Sequence, residues 1–339
     1  MPSTKSPARR VTTYKIIQGI IGVTFAGYLL WRLYVVFIGN PSYGPDTWAR
    51  LIIAGLILGS VYALIAIGYT LVYGILRMIN FAHSEIFMLG AYSVFWGVTL
   101  LHLPWPIAVT LGILAVAALG VLVDRVAYRP LRDAPRISAL ISAIGVSFFL
   151  QNLAIVVFSA IPREVYRPAW LETVILVGDV RVLPLTLLVP VLSFLLMLGL
   201  IYIVYKTKPG LGMRAISKDI ETSYTMGVPV NRIIALTFGI GSALAAASGI
   251  MWALRYPQLQ PIMGIIPGFK AFIAAVVGGI GSIQGAVIGG LGLGLVEIMA
   301  VATFPELAGY RDALAFVLLI GILLIKPTGL MGVKLEDKL

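Results

Sequence analysis

The sequence predicts an all-α protein, a polytopic transmembrane helical bundle with nine to ten membrane segments. Composition supports this class first: 60% of the 339 residues are hydrophobic, 12% are charged, and the mean hydropathy is +1.00. Soluble domains carry about 25% charged residues, so the composition argues against a soluble enzyme. Apolar stretches also recur along the chain, and about 20 apolar residues span a bilayer as a helix.

Ten apolar stretches follow one another, and the eighth differs from the others. It is short for a full span, and only a short polar link at residues 282–285, which overlaps the start of the ninth stretch, follows it. We therefore predict a short Gly-rich segment that either spans or re-enters the membrane, which requires backbone buried in protein or lining a cavity. The stretches cover residues 17–39, 49–75, 85–101, 105–123, 138–160, 184–204, 233–253, 270–281, 284–304 and 312–325.

The first stretch follows four basic residues, as a signal peptide would, but no small-residue cleavage site comes after it. We predict a retained helix in which Arg32 extends toward the outer surface. The predicted organisation is an N-terminal extension with an extra membrane helix (1–45), a transmembrane domain (46–330) and a cytoplasmic tail (331–339).

The basic residues predict the orientation of the chain. With ten alternating spans and a cytoplasmic N-terminus, seventeen of the 25 Lys and Arg residues fall inside, seven fall outside, and Arg32 lies within a span. Lys270 and Arg311 are among those assigned to outside loops. Because basic residues accumulate on the cytoplasmic side, we predict that both termini are cytoplasmic and that the chain resides in an inner or plasma membrane.

Two loops have a distinct composition. The cytoplasmic loop 206–232 is predicted to contain an amphipathic helix over 213–226, with Ile216, Ile220 and Tyr224 on one face and helix breakers at 209–212 and 227–229. An interfacial helix on anionic lipid is the alternative, although the mixed charge argues against it. The external loop 162–183 is predicted to form a small lid or docking ledge.

Small residues four positions apart predict close packing between helices, because lipid offers no hydrophobic driving force for helix association. Such pairs occur at Gly55 and Gly59, at Gly285 and Gly289, and at Gly290 and Gly294. The run Gly278-Gly279-Ile280-Gly281-Ser282 adds backbone that can bend or closely approach a ligand. Packing alone explains any single glycine, whereas their density over 278–294 also suits a translocation path.

Several kinds of chemistry are absent from the sequence. There is no cysteine, only two histidines, and no phosphate-binding loop motif or hydrolase signature, so we predict neither a metal site nor catalytic residues. Glu297 is the one acidic residue inside a predicted span, either attracting a substrate ammonium group or bonding to a neighbouring helix. Since ion-driven carriers usually hold several such groups, transport energy is expected to come from another subunit.

The segment Asn80-Phe81-Ala82-His83-Ser84-Glu85 joins the second and third spans. Asn80 or Ser84 can cap the following helix, and Glu85 suits the positive end of its dipole. The functional alternative is that the free N–H groups, His83 and Asn80 line an entry for a zwitterionic or anionic solute.

This segment resembles the N-F-A-H-G-E signature of the branched-chain amino-acid ABC permeases, specifically their H-type (LivH) family, with Ser84 in place of the glycine. Residues 210–250 resemble the cytoplasmic segment and following helix of the same family, and residues 269–297 resemble its late Gly-rich region. The three motifs occur in the family's order and cover roughly residues 50–330. The N-terminal extension of about 45 residues departs from the pattern.

The resemblance implies a transport function without enzymatic activity. It implies a permease subunit of an ABC importer for branched-chain, neutral aliphatic amino acids, paired with an M-type permease, two ATPase subunits that use ATP-Mg, and a periplasmic or surface binding protein. This chain would bind no cofactor and no nucleic acid. The predicted helix would be the coupling helix that contacts an ATPase, through Arg214, Ser217, Lys218, Asp219, Glu221, Thr222 and Gly227.

Two other functions stay open at this stage. One is an ABC permease for urea or another small polar solute, and the other is an autonomous secondary carrier. The predicted substrate pathway comprises Asn80, His83, Ser84, Glu85, Gly278, Gly279, Gly281, Ser282 and Glu297.

Overall fold

The computed structural model describes residues 24, 27–28, 30–32, 34–39, 43–132, 134–177 and 180–332. Eleven of the 23 residues of the predicted first helix (17–39) and residues 333–339 of the predicted tail lie outside this described part. Within it the chain is helical apart from four short strands. The helices are α1 (Pro45–Leu76), α2 (His83–Thr99), α3 (Trp105–Val123), α4 (Arg136–Phe158), α5 (Ala169–Glu172), α6 (Pro184–Lys206), α7 (Lys208–Lys218), α8 (Ile220–Thr225), α9 (Val230–Arg255), α10 (Ile265–Gly278), α11 (Ile283–Thr303) and α12 (Arg311–Ile325).

Seven helical segments in the described residues are long and apolar enough to cross a membrane. They cover α1, α3 with its extension to Leu131, α4, α6, α9, α11, and the segment Pro305–Ile325. The 17-residue α2 and the 14-residue α10 are shorter. These helices follow the order of the predicted stretches, which confirms a polytopic helical membrane protein. Whether α10 re-enters the membrane stays a prediction.

Helices α1 and α9 form the antiparallel centre of the bundle. The Ser248 hydroxyl of α9 donates a hydrogen bond to the Val61 carbonyl of α1 at 3.0 Å, and Gly241 faces Gly68 closer to the end of α1. Both helices are largely buried, whereas α4 and α12 are mostly exposed. Exposed leucine, isoleucine and phenylalanine side chains on these outer helices suit contact with lipid or with other membrane subunits.

The predicted glycine packing is confirmed between α1 and α11. A Cβ atom added at Gly59 would lie 2.8 Å from the Leu291 Cα, and one added at Gly55 would lie 3.0 Å from the Leu295 Cα. Gly290 is pressed against the backbone of Ala63 in the same way. Glycine is therefore required on both helices, because any side chain would push the two backbones apart.

The two ends of the bundle have different structures. One end carries α7 and α8 between the end of α6 and the start of α9, and we call it the helical-loop end. The other carries β1 (Arg163–Glu164), which pairs antiparallel with β4 (Gln258–Leu259), and the hairpin of β2 (Ile175–Val177) and β3 (Val180–Val182). We call it the strand end. The predicted external ledge over 162–183 corresponds to this strand end.

The described part of the N-terminal extension packs at the strand end. The Arg32 side chain donates to the Thr303 carbonyl at 3.0 Å and lies 3.1 Å from the Glu306 carboxylate. Val36, in the helical turn Val35–Gly39, is buried. Arg32 is thus held by an ion pair and by a carbonyl that the end of α11 leaves free.

Candidate functional site

The signature segment 80–85 lies inside the bundle. Helix α1 ends where Arg77 adopts a left-handed conformation (φ 54°) and its N–H bonds to the Tyr73 carbonyl at 2.7 Å. After a short turn, α2 begins so close to α1 that a Cβ atom at Gly68 would collide with the His83 ring. Gly68 precedes the last residue of α1 by about two helical turns, so α2 starts within the bundle.

The predicted capping role of Asn80 and Ser84 is wrong. The residue before α2 is Ala82, and no side chain among the described residues caps the helix. Instead, the N–H of His83 bonds to the Asn80 carbonyl at 3.1 Å, and the N–H of Ile86 bonds to the Ala82 carbonyl at 3.2 Å. Because the turn satisfies these groups through the backbone, the polar side chains of the motif are free for tertiary contacts.

Asn80 and His83 face the centre of the bundle. The Asn80 side-chain oxygen accepts a 2.8 Å hydrogen bond from the Tyr128 hydroxyl, and its amide nitrogen has no partner in the described residues. The His83 ring packs edge-on against Tyr69, with ring centres 4.8 Å apart, and its buried Nε2 makes no hydrogen bond of good geometry within the same residues. Buried polar atoms of this kind normally find a partner, and the role of Asn80 and His83 in a substrate pathway stays a prediction.

Glu85 faces the opposite direction, toward α4. Its Oε1 accepts hydrogen bonds from Gln151 (2.8 Å), Ser84 (3.1 Å) and Ser147 (3.2 Å). The carboxylate is completely buried. The structure therefore brings Ser84 and Glu85 together, but it directs His83 away from them, and the predicted residues do not converge on one cavity in this conformation.

Helix α10 connects the signature segment to the Gly-rich segment. At its start, Gly264 and Gly268 press against the backbone of Ser84, and a Cβ atom at Gly268 would lie 3.1 Å from the Ser84 Cα. At its other end, Gly278 presses against Gly285. A helix of 14 residues is about 21 Å long. The two predicted parts of the pathway thus lie at opposite ends of α10.

The Gly-rich turn after α10 lies at the helical-loop end and is held by the C-terminal segment. The N–H groups of Leu330 and Met331 bond to the carbonyls of Val277 and Gly278, each at 2.8 Å. Gly279 (φ 109°) and Gly281 (φ 94°) have left-handed backbones that favour glycine. Ser282 caps α11 by accepting from the Gly285 N–H at 3.1 Å, so these residues shape a tight turn whose role in translocation stays a prediction.

Glu297 belongs to a buried ionic cluster. Its Oε1 lies 2.7 Å from the Lys270 ammonium group and also pairs with Arg311, while its Oε2 accepts a 3.2 Å hydrogen bond from Tyr62. Lys270 in turn lies 2.6 Å from Asp312. Both oxygens of Glu297 are therefore occupied, which favours the bond between helices over the binding of a substrate. The cluster joins α10, α11, α12 and α1.

Lys270 does not lie in a loop as predicted, and the side of the membrane assigned to Lys270 and Arg311 stays a prediction. Lys270 lies within α10 with only 4% of its surface exposed, and Arg311 is the first residue of α12. The sequence did contain a signal for this ion pair. Lys270 lies in one apolar helix and Glu297 in the next, and opposite charges inside a membrane tend to neutralise each other. Sequence reasoning also missed Tyr128, Ser147 and Gln151, whose positions beside the motif depend on the packing of α3 and α4.

The predicted continuous helix 213–226 is also wrong. Helix α7 already begins at Lys208, since Thr207 accepts a hydrogen bond from the Gly210 N–H at 3.3 Å, and Pro209 is tolerated in a first turn. Asp219 then adopts an extended backbone and caps α8 by accepting from the Thr222 N–H at 3.1 Å. The predicted apolar face is divided as a result: Ile216 is buried, whereas Ile220 and Tyr224 are exposed.

A groove opens between α7, α8 and the start of α9. Of the predicted coupling residues, four line it (Lys218, Asp219, Thr222 and Gly227), whereas Arg214, Ser217 and Glu221 do not. Arg214 stacks over the Tyr205 ring at 5.6 Å, and Ser217 donates a hydrogen bond to the Arg214 carbonyl. Gly227 (φ 77°) provides the turn into α9. Leu211 and Met226 also line the groove and are 61% and 79% exposed.

The fold defines a class of protein, a multi-pass helical membrane protein with a buried polar motif and an exposed apolar groove at one end. A family model described as "Branched-chain amino acid transport system / permease component" matches residues 51–323. The chain therefore belongs to this family of permease components, as its motifs indicated, and it is a transport component rather than an enzyme.

Three relatives are similar over nearly their whole lengths. BraD of Pseudomonas aeruginosa, a high-affinity branched-chain amino acid transport system permease protein, is 43% identical over 84% of this chain and 96% of BraD. LivH of Escherichia coli K12 is 41% identical over 82% of this chain and 93% of LivH. A probable LivH of Methanocaldococcus jannaschii is 26% identical over 85% of this chain and 94% of that protein. No solved structure matches the chain.

Proposed function

We propose that this chain is the H-type permease subunit of an ABC importer that moves branched-chain, neutral aliphatic amino acids into the cell. The observation that supports this most strongly is the 43% identity to BraD over 84% of the chain, which includes the signature segment. The proposed complex adds an M-type permease, two ATPase subunits that use ATP-Mg, and a periplasmic or surface binding protein.

In this proposal the chain alternates between two conformations and takes part in no covalent chemistry. An ATPase subunit binds the groove of α7 and α8 and moves it as nucleotide binds. That motion passes to α9 and to the glycine-packed helices around α10 and α11, which switches access from one side of the membrane to the other. The substrate pathway is proposed to run beside Asn80, His83, Ser84 and Glu85 at one end of α10 and beside Gly278, Gly279, Gly281 and Ser282 at the other, whereas Glu297 holds the helices together.

The test is transport by the reconstituted complex. In proteoliposomes that contain this chain, the M-type permease and both ATPases, we expect ATP and the loaded binding protein together to drive uptake of radiolabelled leucine. The chain reconstituted alone should take up no solute along ion gradients. Uptake of urea in place of leucine, or uptake by the chain alone, would contradict the proposal and favour one of the two alternatives.

The proposed orientation places the helical-loop end and both termini in the cytoplasm, as the positive-inside rule indicates. The chain has no cysteine, so single cysteines provide a clean test. We expect Thr173→Cys, at the strand end, to react with a membrane-impermeant maleimide in intact cells. We expect Ser217→Cys, at the helical-loop end, to react only after the cells are opened. The reverse pattern would invert the topology and exclude an ATPase at the groove.

A further inference from the structure

Three carboxylates in the described residues are buried, and Glu85 differs from the other two. They are Glu85, Asp124 and Glu297, each no more than 1% exposed. Asp124 lies 2.5 Å from the Arg132 guanidinium group, and Glu297 lies 2.7 Å from the Lys270 ammonium group. Glu85 has neutral donors only, and no Lys or Arg of the described chain forms an ion pair with it. A buried carboxylate without a cation is costly, so this position calls for an explanation.

The neutral donors all bind the same oxygen. Ser84, Ser147 and Gln151 hydrogen-bond to Oε1, whereas Oε2 is buried and has no partner in the described residues. Gln151 also donates to the Ser147 hydroxyl at 3.3 Å, which fixes both α4 side chains in place. The carboxylate is therefore oriented through one oxygen, and its second oxygen remains available to a donor that the chain does not supply.

Helix α4 lies beside Glu85 at the edge of the bundle. It carries Ser147 and Gln151, and most of it is exposed. Glu85 also lies in the first turn of the 17-residue α2, where the N-terminal end of the helix dipole favours negative charge.

We propose that Glu85 Oε2 receives the ammonium group of the transported amino acid, with Gln151 and Ser147 as positioning residues that orient the carboxylate. This inference rests on the proposed function, and it adds the chemical group of the substrate that the permease itself recognises. An ammonium group supplies the missing positive charge and an N–H donor. An uncharged solute such as urea would leave the buried carboxylate unpaired.

The test uses the complete complex and measures leucine imported per ATP hydrolysed in the presence of loaded binding protein. For Glu85→Gln we expect this ratio to fall about 10- to 100-fold, as expected for loss of a charge-assisted hydrogen bond. A defect in folding or assembly would instead lower uptake and ATP hydrolysis together and leave the ratio unchanged. Glu306→Gln, the same substitution at an exposed site, is the matched control and should leave the ratio at the wild-type value.

Gln151→Ala provides a second measurement should Glu85→Gln fail to assemble. It removes one neutral donor from a peripheral helix, and we expect the ratio to fall about 5-fold. A wild-type ratio in either variant that assembles would overturn the assignment. If the wild-type complex imports no amino acid, the proposed function itself fails. If it imports leucine and the variants match it, only the ammonium site fails.

Discussion

Replacing Glu297 with alanine is expected to destabilise the protein by about 3–5 kcal/mol, the usual effect of removing one partner from a buried ion pair. The substitution leaves the Arg311 guanidinium group without its carboxylate, and it leaves Lys270, which is 4% exposed, with Asp312 alone. It also removes the acceptor of the Tyr62 hydroxyl. The measurement is the midpoint of thermal unfolding of the purified protein in detergent, compared with the wild type.

Glu306→Ala is the matched control, because it removes a carboxylate from an exposed ion pair with Arg32, near the far end of α11. Exposed ion pairs contribute about 0–1 kcal/mol, so we expect little change in the midpoint. The double variant Lys270→Met with Glu297→Met should recover part of the lost stability, since apolar pairs often replace buried ion pairs well. Equal midpoints for Glu297→Ala and Glu306→Ala would show that the cluster does not hold the helices together.

Replacing both Leu211 and Met226 with aspartate is expected to reduce ATP-dependent leucine uptake about 30-fold or more, the effect of losing apolar hot spots at an interface. Both side chains line the groove and are largely exposed, so the chain's own packing changes little. If the groove is the ATPase contact, two charges there prevent docking of the apolar surface. The measurement is uptake in proteoliposomes, together with the amount of ATPase that co-purifies with the permease.

Leu211→Met with Met226→Leu is the control for this pair, because it keeps the groove apolar at nearly the same volume. We expect wild-type uptake and wild-type recovery of the ATPase subunits. Normal uptake by the aspartate variant would remove the groove from the proposed interface. Lost uptake with full recovery of the ATPases would place the defect after docking, in the motion that the groove transmits.

The helix order was predictable from the sequence because each membrane segment is a local property, a run of apolar residues long enough to exclude water from its backbone. The break at Asp219 was not predictable from helical periodicity. An aspartate suits both the surface of a helix and the cap of a new one, and packing selects between them. Here Met213 and Ile216 are buried and anchor α7, while α8 follows a separate path to the turn at Gly227.

In the signature segment, too, the sequence predicts one part of the structure and tertiary packing decides the rest. Its residue types predict both a functional region and a capping role for Asn80 and Ser84, but backbone hydrogen bonds alone close the turn. Two of the three hydrogen-bond partners of Glu85, Ser147 and Gln151, come from α4, more than 60 residues away in the chain. Contacts over such separations leave no local pattern in a single sequence.

The sequence alone determined that this protein is a multi-pass membrane permease component, because hydropathy and short motifs depend only on residues that are adjacent in the chain. Only the tertiary structure decided which charges are neutralised and which are not. Lys270 and Arg311 pair with Glu297, whereas Glu85 has no cationic partner among the residues that the structure describes. The physical reason is that the energy of a buried charge depends on what other segments bring within hydrogen-bonding distance, and folding alone determines those neighbours.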